Sequence, residues 1–211
     1  MKIDSPKIAK QLPARNFSDI FYEEDPQLEM CEVIDCDFDN QVLPKARLTN
    51  MVVKNCRFHN TDFSKIDITD VRFDKCDFSN ANLSNAAIHR ASFHNCKLLG
   101  VDFTESRFGN VRFDNTLLNM AAFGNSKLEK VIFQETSLTS SDFYDCTFKK
   151  VEFQSCNLNE ANFEQTSLNG IDISTSTFDT LLVAAEDLKG CKVSAYQALQ
   201  FASLFGLIIK D

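Results

Sequence analysis

The 211-residue sequence predicts an all-β fold, a right-handed quadrilateral parallel β-helix of about eight coils with a helix at its C-terminal end. Three observations carry this reading. Apolar residues recur at every fifth position from Val33 to Val193, thirty-three in succession, and sixteen of the twenty Phe fall among them. A second register, two residues earlier, is small or β-branched almost throughout and holds all eight cysteines, at 31, 36, 56, 76, 96, 146, 156 and 191. Within that register residue types sort at a spacing of twenty: Cys36, Cys56, Cys76, Cys96 lead to Thr116 and Thr136, while Val71, Ala91, Val111, Val131 and Val151 form another column. A period of five is neither helical nor that of a plain strand, and a fixed period kept along a chain marks a solenoid.

Each five-residue unit justifies one side of the coil. Two inward residues two apart share a face of a short extended segment. The skipped interval must then turn the chain, and ten residues at that corner position, two after the apolar centre, are Asn, for example Asn80, Asn85 and Asn95. Asn tolerates the positive φ that such a corner asks for. Four units per twenty residues close a square, and parallel crossovers are right-handed in nearly all cases. With strands ~4.8 Å apart, eight coils make a rod roughly 40 Å long.

The ends are read separately. Residues 1–30 lie off the register and are expected to cap the first coil, through Phe17, Ile20 and Phe21. Residues 31–193 form the β-helix, with no projecting loop; Gln41, Met51 and Glu186 are misfits at its small positions. Residues 194–211 read as a helix and a final strand. Ser194 and Gln197 have the spacing of a capping box, and Gly206 suits the position just past a helix end. Tyr196, Leu199, Phe201, Leu204 and Phe205 surround much of this helix, more than a lid needs, so the excess is expected to pair two copies in a homodimer.

Composition excludes several function classes. The net charge is −8 with a pI near 4.9, against direct binding of nucleic acid through phosphate contacts. No stretch approaches the ~18–20 apolar residues of a membrane span, and the N-terminus lacks the apolar run of a signal peptide, so a cytoplasmic protein with reduced thiols is expected. No cysteine pair has metal or redox spacing, and Cys36, Cys56, Cys76 and Cys96 read as a stacked core ladder beside Phe73, Phe78, Phe93 and Phe113. His59, His89 and His94 all fall at the outward position after a centre, where no triad is implied. No metal, no cofactor and no enzymatic activity are expected.

The units Ala81-Asn82-Leu83 and Cys76-Asp77-Phe78 resemble the repeat of the pentapeptide-repeat family, over about 160 of the 211 residues. The segment Val193–Ile209, "VSAYQALQFASLFGLII", further resembles the dimerising C-terminus of the Qnr-type quinolone-resistance proteins, and the unbroken array resembles their loopless chromosomal forms in Gram-positive cocci, such as the enterococcal one. That resemblance implies a dimeric rod that mimics DNA, binds DNA gyrase or topoisomerase IV and protects them from fluoroquinolones. Family mechanisms that depend on projecting loops do not carry over.

Sorting charges by side adds a candidate site. One side carries Asp62, Asp102, Glu105, Asp142, Asp145 and Glu164 against only Lys45 and Lys65. The opposite corner region sets Arg47, Arg90, Arg107, Lys127, Lys130, Lys149, Lys150 and Lys189 against Asp67, Asp70, Glu129 and Asp187. DNA carries about one charge per 1.7 Å, about twenty-three over such a length, so this acidic side has only a fraction of that density. Shape and resemblance, rather than charge, carry the DNA-mimic reading. The alternative is an acidic β-helical scaffold with an unrelated protein partner.

Overall fold

In a computed structural model, which describes residues 1–210, the chain winds as a parallel β-solenoid. Its main sheet starts with β1 (Gln27–Glu29) and β2 (Glu32–Ile34), both paired with β3 (Arg47–Lys54). It continues through β4 (Asp67–Asp74), β5 (Ala87–His94), β6 (Arg107–Asp114), β7 (Lys127–Gln134) and β8 (Thr147–Gln154), each parallel to the last. A short pair, β9 (Ala161–Asn162) and β10 (Leu181–Leu182), follows, and α1 (Ala195–Leu204) ends the fold. The register advances by twenty at each step, with Leu48 opposite Ile68, Phe73 opposite Phe93 and Phe133 opposite Phe153. Four units therefore make one coil, and there are about eight coils.

The corners explain why a period of five suffices. Every fifth residue from Met30 to Gly170 has positive φ, including Asn80 at 56° and Asn85 at 59°. On two of the four corners the turn is closed by a backbone bond, as from Ala81 N to Phe78 O at 3.0 Å and Ser126 N to Phe123 O at 3.1 Å. Positive φ confined to the third residue of such a turn defines type II. A third corner lies inside β3 to β8, which bend at Asn50, Asp70, Arg90, Asn110, Lys130 and Lys150. Asp or Asn before a centre helps to shape the turn. Its Oδ1 accepts the backbone N–H two residues on, at 2.9 Å from Ser64 to Asp62 and 3.0 Å from Ser84 to Asn82.

Inside, Phe rings stack along columns: Phe93, Phe113, Phe133 and Phe153 follow one another with centroids 5.0, 5.1 and 5.1 Å apart. The small register does more than fill volume. Cys76 Sγ donates to Val53 O (3.5 Å) and Asp74 O (3.6 Å), and Thr116 Oγ1 in the same column donates to Phe93 O (3.3 Å) and Asp114 O (3.1 Å). Cys, Thr and Ser alternate there because each is small and carries one donor.

Three expectations about the ends need correction. The register begins one unit earlier than residue 31: Leu28 is a buried centre opposite Leu48, and Met30 is its corner. A single unit before the array has no neighbours to reveal it as a repeat. At the other end the apolar period persists to Val193, but the regular coil does not. Thr175, Thr180 and Ala185 lack the positive φ of the earlier corners, residues 185–190 form turns, and Val183, Leu188 and Val193 are only partly buried. Glu186 occupies the small inward position, and the chain turns it outward rather than bury a carboxylate. Residues 207–210 form no strand, since nothing among the described residues pairs with them.

The helix closes the last coil with amide groups. The last coil's carbonyls have no further coil to bond, and Gln197 Nε2 donates to Ile173 O and Ser176 O, both at 2.8 Å, while Gln200 Nε2 donates to Phe178 O at 2.7 Å. Ser194 and Gln197 form the capping box, and Leu207 N bonds Ala202 O at 2.9 Å past Gly206, a Schellman end. Replacing Gln197 with alanine leaves two buried carbonyls and one cap short, and is expected to cost about 3 kcal/mol, measured by urea unfolding.

The N-terminal segment has two parts. Residues Phe17–Tyr22 form a 3-10 turn over the first coil, where Phe17 packs edge-on against Phe38 and Phe58 at 4.6 and 4.8 Å. Residues 1–14 run along the side of the rod, crossing coils. Lys7 N donates to Asp70 Oδ1 at 2.8 Å and Asp4 N to Asn110 Oδ1 at 3.1 Å. Beside this strap lies the outward-facing Val52, at 6% exposure, and Ile132 in the same column is 1% exposed. Asp70 also takes Arg90 in a bidentate pair at 2.6 and 2.7 Å, and that guanidinium, with the Lys7 N–H, holds its carboxyl below the ordinary range. A depressed pKa gives stability that is present above the unfolded value of about 3.9 and is lost as pH falls through the lower folded value. The Asp70→Asn variant is therefore expected to be about 2 kcal/mol less stable than the parent near neutrality. The gap should close in acid, which unfolding curves across pH will show.

Candidate functional site

The side holding the predicted acids is built from single-residue bridges, in the order Val42, Asp62, Asn82, Asp102, Ala122, Asp142, Asn162. Asp62, Asp102 and Asp142 lie on this one ladder, two coils and so about 10 Å apart. All three are half-buried, because each carboxylate turns back to its own corner: Asp102 Oδ1 accepts from Thr104 N at 2.8 Å and Asp142 Oδ1 from Tyr144 N at 3.1 Å. Asn82 and Asn162 tie to Asp62 and Asp142 through side-chain amides at 3.1 and 2.9 Å. Glu105, Asp145 and Glu164 are exposed, the first two at corners and the last directly after a centre. The array is thus a row of fixed carboxylates with a looser acidic margin, and its positions are set by the repeat.

The basic region is partly neutralised within the fold. Arg90 is taken by Asp70, and Lys149 Nζ sits 2.7 Å from Glu129. Lys54 pairs with Glu32 at 2.7 Å. Cys36 is half-buried and Cys56, Cys76 and Cys96 are buried, with their neighbours stacked above and below. Burial pushes the Cys146 and Cys156 thiols up, to about 12 and about 11, so both stay protonated near neutrality. The Cys76 thiol is raised by its contacts with Cys56 and Cys96 and by burial. Such thiols are poor nucleophiles. His94 Nδ1 lies 3.2 Å from Asp114 Oδ2, a surface pair.

The structure divides the apolar residues of α1. Phe201, grouped with the others from sequence, is 7% exposed and packs 5.1 Å from Phe178, so it anchors the lid. Tyr196, Leu199, Leu204 and Phe205 remain exposed, together with Leu207, Ile208 and Ile209. Sequence reading missed the one apolar residue in the ladder between Asp62 and Asn162, Ala122, next to the exposed Leu117 and Met120. Its signal was present: apolar residues stand there at outward positions that are polar in most units.

A constant core with three variable outward residues in every five defines a class, the solenoid that presents flat sides to other molecules. The chain belongs to the pentapeptide-repeat proteins: models described as "Pentapeptide repeats (8 copies)", "Pentapeptide repeats (9 copies)" and "Pentapeptide repeat region" match residues 34–70, 54–97 and 86–163. No curated protein matches the chain by sequence. Among solved structures, a trypsin-treated variant of QnrB1, a plasmid-mediated fluoroquinolone resistance protein, is similar at TM-score 0.58 and 22% identity, over 87% of this chain and 90% of that one. A second such variant gives 0.51 and 18%, over 85% and 100%. HetL, a pentapeptide-repeat protein involved in heterocyst differentiation regulation in the cyanobacterium Nostoc, gives 0.48 and 15%, over 79% and 86%. The two likenesses to QnrB1 establish the fold. Among the described residues no helix is long and apolar enough to cross a membrane.

Proposed function

We propose that this protein is a non-catalytic DNA mimic that binds a bacterial type II topoisomerase, DNA gyrase or topoisomerase IV, at its DNA site and protects it from fluoroquinolones. The observation that carries the proposal is shape: a rod side with no projecting loop, built from single-residue bridges one coil apart, on which Asp62, Asp102 and Asp142 stand about 10 Å apart. A surface evolved for phosphate accepts such a row, and opposite-sign fields steer the encounter. The likeness to QnrB1, named for fluoroquinolone resistance, and the C-terminal resemblance point the same way. The proposal includes a homodimer through the exposed face of α1 and the apolar tail, in the manner of the loopless chromosomal proteins. Those residues form a contiguous apolar end, which soluble chains seldom leave uncovered.

The test is gyrase supercoiling and topoisomerase IV decatenation in the presence of a fluoroquinolone. Purified protein is expected to restore activity to at least one enzyme, and to inhibit that enzyme without drug at higher concentration. No effect on either would leave the scaffold with an unrelated partner.

A further inference from the structure

From Asp62 to Asn162 the ladder of this side is polar except at one place in its middle, and that place has its own character. Ala122 stands between Asp102 and Asp142, and Gly124 occupies the next outward position. Gly124 itself is buried, with Asp142 Oδ2 and Tyr144 O 3.7 Å from where a Cβ would stand, so the small side chain partly exposed in this gap is that of Ala122. Round the same corner, Leu117 and Met120 are 42% and 63% exposed. Their columns are otherwise polar or charged apart from Gly100, with Asp77, Lys97, Ser137 and Asn157 in line with Leu117, and Asn60, Asn80 and Ser140 in line with Met120.

Met120 is costly twice over in the isolated chain. It holds a φ of 58°, a conformation that suits Asn or Gly, and it exposes a long apolar side chain to water. Beside it, Asn119 Oδ1 is buried without a hydrogen-bond partner, the one such side-chain atom among the described residues. A buried acceptor left unpaired is a cost the monomer does not recover. Three departures from the repeat thus converge on one spot, and none helps the fold. Within one coil either way on these two sides, four acids, Asp102, Glu105, Asp142 and Asp145, face a single base, Lys97.

We propose that this notch is the anchoring point of the partner surface, and that it receives a basic protein segment carrying one apolar side chain. The apolar group rests on Ala122 against Met120 and Leu117, and flanking Arg or Lys heads reach Asp102 and Asp142. A central desolvated anchor inside a charged surround is how interfaces concentrate their affinity. The identity of the partner rests on the function proposed above; the location and chemistry of the anchor do not.

The experiment uses Met120→Asn with Leu117→Ser, which restores the residue types of the neighbouring units. Two probes are used: immobilised gyrase or topoisomerase IV, and a synthetic peptide of one leucine flanked by arginines, with a leucine-free control. The restored variant is expected to melt at the same or a higher temperature than the parent, since Asn favours the corner, yet to bind a topoisomerase at least tenfold more weakly. The leucine peptide is expected to shift NMR signals of Leu117, Met120 and Tyr144 first, and the leucine-free control to spread over the acidic side. Unchanged topoisomerase binding by the variant overturns the anchor. If the parent protein binds neither enzyme, the functional proposal falls and the peptide decides alone: shifts spread equally by both peptides reject the anchor.

Discussion

Replacing Phe113 with alanine is expected to cost about 4 kcal/mol and to separate the unfolding of the two halves of the rod. Phe113 is fully buried and sits mid-column, stacked 5.0 Å from Phe93 and 5.1 Å from Phe133, with Phe103 and Phe123 edge-on at 6.5 Å each. Truncation removes both stacks at once and leaves a cavity that the flanking coils cannot close, because their backbones are held by the ladder. In a solenoid each coil touches only its neighbours, so stability is a chain of interfaces. Weakening one in the middle lowers the denaturant midpoint and also the cooperativity between the halves. The transition should broaden or split. Phe113→Leu, by contrast, is expected to cost under about 1.5 kcal/mol, since the same column already holds Val53 and Ile173 at its ends. A single sharp transition in the alanine variant, with an unchanged midpoint, would show that the aromatic column does not couple the coils.

The second large effect concerns the carboxylates. Converting both Asp102 and Asp142 to asparagine is expected to weaken topoisomerase binding about tenfold, and converting both to lysine by more than about a hundredfold. The two substitutions differ in what they do to the rod. Asparagine keeps the Oδ1 that accepts from Thr104 N and Tyr144 N, so it removes charge and preserves the turn. Lysine removes both, at about 1 kcal/mol per lost turn bond. Comparing melting temperature with binding therefore separates charge from shape: the asparagine variant should melt like the parent. Equal binding by the parent and the lysine variant would move the interface to another side of the rod.

Much of this molecule is legible from one line of residues, for a physical reason. A coil of four sides has no freedom to vary its length, so each side must repeat its inward pair at a fixed interval, and Phe78, Leu83 and Ile88 reveal three sides of one coil without reference to anything distant. The corner is equally local: Asn80 and Asn85 adopt the conformation their side chains favour. The stacking of Cys56 beneath Cys76 follows from counting. The face that carries Asp62, Asp102 and Asp142 follows from counting too.

What counting does not reach is anything set by a residue outside the repeat or by an end. The strap beside Val52 depends on Asp70 and Asn110 catching the backbone of Lys7 and Asp4 across many coils, and no interval in the sequence encodes those pairings. Asp70 reads as a surface acid and proves to be a buried anchor. The apolar period runs on to Val193, but Glu186 and the lack of a following coil loosen the last turn, and only the closure by Gln197 shows where the rod stops. Phe201 and Leu199 have the same apolar character and lie two residues apart, yet one is the lid's anchor and the other faces solvent. The sequence by itself determined the coil, its corners and the side on which each charge stands, because those are interactions between units at a constant spacing. The tertiary structure alone decided how the ends are sealed and which outward residues are covered, because those depend on contacts between segments that share no period.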